Sequence, residues 1–259
     1  MAQAYVSRKT INRIGYLTLK RPDKKNALNG QMVNEIHQSL DHFEKEDAVK
    51  VLVIRAAGDV FCSGADLGYL EQLKDFSYEE NLEDSHLLRS LFEKIYRFPK
   101  VVIAQVHGAA IAGGCGLANV CDFVFATDNS EFGFPEVKIG FLPALVMVFL
   151  KEKIGTAKAR QLLLTGDMIN AEEALKMGMV FRVVEKKALE GEVKAFAQKL
   201  IHENSGESLA SIKKMLALLP GKSLDEGLRY AAEMNARARN TDDCKKGIAA
   251  FLNKQKIQW

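Results

Sequence analysis

The sequence predicts an α/β fold with a helical region at its C-terminal end. Two apolar segments at residues 14–19 and 49–56 flank a stretch with helical spacing, which is the pattern of a β-α-β unit. The segments VLVIRAA (51–57) and VVIAQV (101–106) are apolar nearly throughout, as strands covered on both faces are. Residues 195–259 show helical patterns only.

The first half of the chain alternates between strands and helices. Strands are predicted from Ile14 to Leu19 and from Val49 to Ala56, with a helix between them from Gln31 to Glu46. The charged stretch from Leu70 to Arg97 reads as one or two helices, and Pro99 prevents their continuation.

The second half becomes mostly helical. The strand at 101–106 is followed by a glycine-rich turn, a helix running to about Cys121 and a short strand at 123–127. Helices are expected from Thr156 onward, and Asn170 and Gly178 fit the N-cap and the C-terminal stop of one of them. A strand is expected within MVFRVV (179–184), before the helical patterns that run from Lys186 to the end.

Length and composition indicate one main domain with a smaller appendage, which we divide into residues 1–194 and 195–259. The chain has 259 residues, 47% hydrophobic and 27% charged, and its net charge of +3 gives no sign of a nucleic-acid partner. The longest nearly apolar run, 139–150, is too short to span a bilayer and contains a proline. The first residues lack the pattern of an export signal, so we expect a cytoplasmic protein without a membrane partner.

The cysteines and histidines predict neither a disulfide framework nor a metal site. Cys62, Cys115, Cys121 and Cys244 form no C-x-x-C pair and read as reduced, mostly buried thiols. The five histidines lack metal-ligand spacing.

Three short stretches could carry chemistry. FCSGADL (61–67) is either a plain strand-to-helix turn with Asp66 as its N-cap, or a turn that presents the Ala65 N–H to a ligand. AIAGGCGLANVCD (110–122) either packs a helix tightly on a strand, or leaves the first N–H groups of a helix near Gly113 free for an anion. In EFGFPEVKIG (131–140), Glu136 is either a solvated first-turn glutamate or a desolvated proton-transfer group.

Taken together and in order, these stretches resemble the crotonase (enoyl-CoA hydratase/isomerase) family. RPDKKNALNGQM near the start, LLLTGDMINAEEALKMGMV and the closing DDCKKGIAAFLNKQ extend the likeness over almost the whole chain. The resemblance implies a crotonase-like spiral of ββα repeats and a C-terminal helical region that builds trimers, commonly paired into hexamers. It also implies an acyl-CoA thioester as substrate and no separate cofactor, since coenzyme A is part of that substrate.

The resemblance also implies roles for individual residues. The thioester oxygen would sit between the backbone N–H groups of Ala65 and Gly113, with Glu136 as the catalytic carboxylate. The residues expected to bind the CoA portion, with Phe251 and Lys254 reaching a neighbouring subunit's CoA, are Lys24, Ala27, Ala65, Asp66, Leu67, Gly68, Phe251 and Lys254. For Lys24 and Lys254, an ordinary surface position is the competing interpretation.

One position departs from the family's pattern. Typical hydratases of this family carry a second glutamate on the helix after the oxyanion glycine, and Gly116 stands there in this chain. A single carboxylate is compatible with hydration of a 2-enoyl-CoA, with Δ3-Δ2-enoyl-CoA isomerisation, or with a subunit that binds acyl-CoA without turning it over.

The segment after Glu136 tilts the prediction toward hydration. The combination of AIAGGCGLA with GFLPALVMVFL resembles a bacterial branch that hydrates branched enoyl-CoA in leucine breakdown, where the substrate carries a distal carboxylate. Separately, the bulky residues after Pro143 would narrow and dry the acyl pocket. We therefore expect a 3-methylglutaconyl-CoA-like substrate and an acyl pocket near Gly116, Lys138 and Pro143. If the 136–138 segment is extended, Lys138 would share a side with Glu136 and could pair with the distal carboxylate; the alternative is a solvated lysine.

Overall fold

A computed structural model describes residues 4–259, except for the side chain of Leu67. Its main sheet has six strands in the order β1-β2-β3-β4-β6-β9, and a second sheet has the order β5-β7-β8. The strands are β1 Val6–Ile11, β2 Ile14–Leu19, β3 Val51–Ala56, β4 Val101–Val106, β5 Ala110–Ile111, β6 Phe123–Thr127, β7 Glu131–Gly133, β8 Met168–Asn170 and β9 Arg182–Val184.

The main sheet is parallel from β2 to β9, and only the edge pair β1–β2 is antiparallel. The centre of the sheet is buried on both faces, which explains the unbroken apolar runs of β3 and β4. One face packs against α1, α3, α4 and α5 in the larger apolar core. The helices are α1 Gly30–Lys45, α2 Leu67–Leu73, α3 Tyr78–Tyr96, α4 Gly113–Asn119, α5 Ala144–Thr165, α6 Ala171–Met177, α7 Leu189–Glu203, α8 Gly206–Leu218, α9 Leu224–Arg239 and α10 Asp242–Leu252.

The other face of the sheet is covered by α7. Its apolar stripe, which includes Leu189, Ala197 and Ile201, packs on alternate residues of the central strands. The domain division expected between residues 194 and 195 falls inside this helix, both halves of which pack on the sheet. In contrast, α9 and α10 bury none of their residues.

Most predicted elements lie where the sequence places them. Asn170 caps α6 in a capping box, and Gly178 ends that helix in the left-handed region at φ 89°. The stretch 70–97 contains two helices, and α3 ends before Pro99. The predicted strand at 179–184 is shortened to β9.

The short strands β5, β7 and β8 of the second sheet were not predicted, and two longer elements also differ from the prediction. The edge strand β1 was missed because its mostly exposed residues show no apolar alternation. The helix expected from Thr156 is present, but α5 as a whole begins at Ala144: Gly155, non-helical at φ 77°, divides α5 into two helical segments, and the first of them was not predicted. Its first turns are apolar on buried and exposed sides alike, with Leu150 buried and Val148 exposed, so no helical period was visible.

Candidate active site

Three loops meet beyond the carboxyl ends of β3 and β4, which is where open parallel sheets usually bind ligands. Cys62 forms a bridge with Ala110, and Ile111 pairs with Gly133. The N–H of Ile111 donates to the carbonyl oxygen of Cys62 at 2.9 Å. These pairings bring the stretches 61–67, 110–116 and 131–140 together, as the sequence predicts for a shared site.

Gly64 is a point of close approach between the first two loops. It has φ +92°, and a β-carbon there would lie 2.8 Å from Cβ of Ala112 and 3.4 Å from the backbone nitrogen of Gly113. Only glycine combines this backbone conformation with so little space. Its absent side chain lets the residues that follow it lie beside the start of α4.

The N–H of Ala65 points away from the backbone segment around Leu28. Leu28 forms a parallel bridge with Ala65: the Leu28 N–H donates to the carbonyl oxygen of Gly64 at 2.7 Å, and the Leu28 carbonyl oxygen accepts the N–H of Asp66 at 2.9 Å. In such a bridge the central residue directs its own N–H to the opposite side. Within residues 4–259, the Ala65 N–H has no hydrogen-bond acceptor, and the residue is exposed.

Gly113 supplies a second free donor. It is the first residue of α4, whose N-cap residue, Ala112, adopts φ 52° and offers no side-chain cap. A β-carbon on Gly113 would lie 3.9 Å from Cα of Gly64. In the described part of the chain the Gly113 N–H also has no acceptor, so two unpaired backbone donors lie side by side.

Glu136 lies on a 3₁₀ helix, Pro135–Ile139, that directly follows β7. It is 9% exposed, and its Oε2 atom has no partner in the described structure. Burial raises the pKa of this carboxyl above its ordinary 4.5. On the neighbouring α4, the pKa of the Cys115 thiol is raised to about 12, mainly by burial and further by the negative charge of Glu136. A buried carboxyl with a free oxygen and a raised pKa suits proton transfer.

The space beside Gly116 is filled by neighbouring side chains. A β-carbon at this position would overlap Cγ1 of Val146 and lie 3.1 Å from Cβ of Val146 and 3.4 Å from Cζ of Phe92. Val146 on α5 and Phe92 on α3 are both buried. The volume that a longer residue at 116 would need is therefore occupied by a valine, and Glu136 has no second carboxylate at this position.

The residues expected to bind the CoA portion fall into two groups. The buried Ala27 lies beside the 65–68 loop because Leu28 pairs with Ala65, and the exposed Lys24 precedes it by three residues, its carbonyl oxygen accepting the N–H of Ala27 at 3.0 Å. Asp66 is 9% exposed and caps α2, and Gly68 is exposed. Leu67 begins α2, but its side chain lies outside the described part of the structure.

Phe251 and Lys254 form the second group, at the end of α10. Phe251 is 82% exposed, and Lys254 has φ 54°. Within the described chain, α10 packs against α9. Their role toward a neighbouring subunit stays a prediction.

The acyl-pocket residues need one correction. The segment carrying Lys138 is a 3₁₀ helix, not extended, and at three residues per turn Lys138 does not share a side with Glu136. Its Nζ pairs with Oδ1 of Asp167 at 3.6 Å, and its side chain is half exposed. Pro143 is the N-cap residue of α5, half-buried, three residues before Val146.

The sequence did not point to Arg21, which pairs with Asp66, the residue that follows Ala65. The two residues are 45 positions apart, so no local pattern linked them. Val146 was recognised only as part of a bulky segment, because its contact with Gly116 joins two different helices.

Across 4–259, no group of three or more His, Cys, Asp or Glu side chains is placed to hold a metal ion. None of the helices described is long and apolar enough to cross a membrane. All four cysteines are free, and three of them are buried.

Comparison with known proteins agrees with the fold. The family model for enoyl-CoA hydratase/isomerase matches residues 9–259. A Thermus thermophilus protein is 41% identical over 243 residues, covering 93% of this chain and 95% of its own length. The crotonyl-CoA hydratase of Syntrophomonas wolfei is 34% identical over 250 residues, covering 95% of this chain and 94% of its own.

A solved structure shares the same architecture. The enoyl-CoA hydratase of Shewanella pealeana superposes with a TM-score of 0.93 at 30% identity, covering 98% of this chain and 96% of that one. The mixed α/β fold with its C-terminal helices is thus the crotonase fold. By sequence and by structure, the chain belongs to the enoyl-CoA hydratase/isomerase family.

Proposed function

We propose that this enzyme hydrates a short or branched 2-enoyl-CoA, and dehydrates the product, with Glu136 as its single catalytic carboxylate. The observation that carries the proposal is the buried, unpartnered carboxyl of Glu136 in the loop cluster that also holds two free backbone N–H groups. The names of relatives as enoyl-CoA hydratases support the same reaction.

The two N–H groups would act on the thioester carbonyl. As the thioester becomes an enolate, negative charge grows on its oxygen, and donors fixed before the reaction stabilise that charge without rearranging. Loss of one such donor costs about 3 kcal/mol of transition-state stabilisation in acyl-transfer enzymes. Ala65 and Gly113 are the residues that we assign to this role.

Glu136 would move the proton. In the hydration direction its carboxylate takes a proton from a water molecule as the water oxygen bonds to C3, and the electron pair of the double bond moves onto the thioester as an enolate. The protonated Glu136 then delivers the proton to C2 on the same face. Because Val146 occupies the space beside Gly116, the attacking water must be held by another group or by the substrate itself.

The filled space beside Gly116 favours a compact acyl group. Val146 and Phe92 leave little room at this end of the site. A 3-methylglutaconyl-CoA-like substrate fits the proposal because its distal carboxylate could hold the water, which would place the reaction in leucine breakdown. Lys138 is not assigned to that carboxylate, since it pairs with Asp167 at the surface.

A second candidate is Δ3-Δ2-enoyl-CoA isomerisation, which the single carboxylate favours. Glu136 would remove a proton from C2 and return it at C4 while the double bond moves. This route needs no bound water and no second carboxylate.

The absorbance of the conjugated thioester distinguishes these reactions. The purified protein is incubated separately with crotonyl-CoA, 3-methylglutaconyl-CoA and a 3-enoyl-CoA. Loss of absorbance with either 2-enoyl substrate demonstrates hydration, whereas a gain with the 3-enoyl substrate demonstrates isomerisation. No turnover of any of them would contradict the proposal and leave an acyl-CoA-binding subunit as the remaining interpretation.

We further propose a homotrimer or homohexamer, with Phe251 and Lys254 reaching the CoA site of a neighbouring copy. Support comes from α9 and α10, which expose large apolar side chains: Leu224, Leu228, Ile248, Phe251 and Leu252. Light scattering of the purified protein measures the assembly mass directly, and a monomer would contradict the proposal. The cytoplasmic location expected from the sequence stays a prediction.

A further inference from the structure

One guanidinium group crosses the contact between the Ala65 loop and the segment before α1. Nη1 of Arg21 donates to Oδ2 of Asp66 at 2.5 Å and to the carbonyl oxygen of Ala27 at 3.4 Å. Asp66 directly follows Ala65, and Ala27 directly precedes Leu28, the residue that bridges Ala65. Arg21 therefore holds both segments of the backbone, 27–28 and 65–66, at the bridge that sets the direction of the Ala65 N–H.

The carboxylate that receives Arg21 cannot turn freely. Its Oδ2 is held by Arg21, while its Oδ1 accepts the N–H of Tyr69 at 3.1 Å and caps α2. Asp66 is 9% exposed. With both oxygens engaged and little solvent around it, the Asp66 side chain fixes the backbone on the C-terminal side of Ala65.

Arg21 is itself fixed at both ends. Its backbone N–H donates to Oδ1 of the fully buried Asn26 at 2.9 Å. The Nδ2 of Asn26 donates in turn to the carbonyl oxygens of Ala57 and Val60, each at 2.8 Å. The guanidinium lies 4.9 Å from the ring centre of Tyr5. Arg21 is thus connected to the loop after β3 through Asn26 as well as through Asp66.

A helix cap alone does not require this arginine. Asp66 would cap α2 without a cation, and a desolvated ion pair is weak evidence for a gain in stability. We infer that Arg21 is a positioning residue: acting through Asp66, it aims the Ala65 N–H at the thioester oxygen of the substrate. The inference rests on the proposed function, since it concerns the same donor.

Steady-state kinetics of Arg21→Met test this role. Small displacements of a catalytic group cost up to about 100-fold in rate, so we expect kcat for crotonyl-CoA to fall by about that factor, with KM changed less than about threefold. Arg21→Lys retains the charge and a donor, so it should recover part of the lost kcat. If Arg21→Met does not fold, Arg21→Lys carries the test, with an expected loss of about tenfold.

The chain offers a matched control in Arg55. This arginine also pairs with an acid, Glu190, at 3.3 Å, and lies 4.6 Å from the ring centre of Tyr16. It joins β3 to α7, and in the described structure it forms no hydrogen bond or ion pair with either active-site loop. Arg55→Met should therefore keep kcat within about twofold of the wild type.

A second measurement does not depend on turnover. Isotope-edited infrared spectroscopy follows the thioester carbonyl stretch of bound butyryl-CoA, which falls in frequency when N–H groups polarise the carbonyl. We expect a clear downward shift in the wild type, the same shift in Arg55→Met and a smaller one in Arg21→Met. A purely structural arginine would lower the unfolding temperature but leave the carbonyl shift of the folded variant unchanged.

The outcomes separate the two proposals. If the wild type hydrates crotonyl-CoA and Arg21→Met retains its kcat and carbonyl shift, the role of Arg21 is overturned and the proposed function stands. If the wild type turns over no enoyl-CoA but shows an Arg21-dependent carbonyl shift, the proposed function fails and the positioning role stands. Absence of both signals in the wild type overturns both.

Discussion

Gly116 of α4 and Val146 of α5 are in contact through space that any side chain at position 116 would need. A β-carbon there would overlap Cγ1 of Val146. The side chain of Val146 therefore occupies the space that a side chain at 116 would need. This is the position at which the resemblance to typical hydratases of the family would place a second glutamate.

Replacing Gly116 by alanine should destabilise the fold. Extra volume in a packed interior costs about 1–3 kcal/mol, and here the obstructing atoms belong to a buried valine on a neighbouring helix. Urea unfolding of Gly116→Ala, Val146→Ala and the double variant measures the coupling. We expect the double variant to be less destabilised than the sum of the single changes by about 0.5–3 kcal/mol. Additive effects would show that the two positions do not share this volume.

Replacing Glu136 by glutamine should nearly abolish activity. A positioned acid or base contributes about 10²–10⁴-fold to rate, and glutamine keeps the shape while losing the proton. Because burial raises the pKa of Glu136, kcat/KM of the wild type for hydration should rise with pH through a value above 4.5 and then level off. A wild-type rate for Glu136→Gln, or a profile flat across the acid range, would remove Glu136 from the mechanism.

The same substitution should stabilise the protein at neutral and higher pH. A carboxyl whose pKa is raised by folding favours the folded state when protonated, so this contribution is lost as pH rises through the raised pKa. Glutamine carries no charge at any pH. The gain in unfolding temperature for Glu136→Gln should therefore be larger at pH 8 than at pH 4, as measured by calorimetry. An equal gain at both values would mean that burial of the charge has no cost.

Gly64 should be less replaceable than Gly113. Alanine at 64 would adopt φ +92° with its β-carbon 2.8 Å from Cβ of Ala112, whereas the β-carbon of alanine at 113 would lie at ordinary contact distances, 3.5 Å from Cδ1 of Leu28 and 3.9 Å from Cα of Gly64. We expect Gly64→Ala to separate the two loops and to lose about 100-fold in kcat, together with a lower unfolding temperature. Gly113→Ala should retain the unfolding temperature of the wild type. An equal fall in unfolding temperature for the two variants would contradict the interpretation that the loops meet at Gly64.

The sequence could predict what is encoded locally. Asn170 and Gly178 mark a helix start and stop because capping depends on single residues, and both were confirmed. The site residues Ala65, Gly113 and Glu136 were found through short motifs, and the strand pairings bring those motifs together. Their chemical roles stay predictions.

What the sequence could not predict depends on contacts between distant parts of the chain. The ion pair of Arg21 with Asp66 joins residues 45 positions apart, and the contact of Val146 with Gly116 joins two helices. The start of α5 was missed because its apolar residues face the core and the surface alike. Lys138 was placed beside Glu136 on the assumption of an extended segment, but the backbone after Pro135 turns into a 3₁₀ helix.

The contact between Gly116 and Val146 also constrains how this enzyme can change over generations. A mutation that placed a glutamate at 116 would collide with the valine, and one that first shortened the valine would open a cavity with its own cost in stability. Either change made first therefore lowers stability. The packing of this pair is thus an obstacle to evolving a longer side chain at position 116, whichever of the two residues changes first.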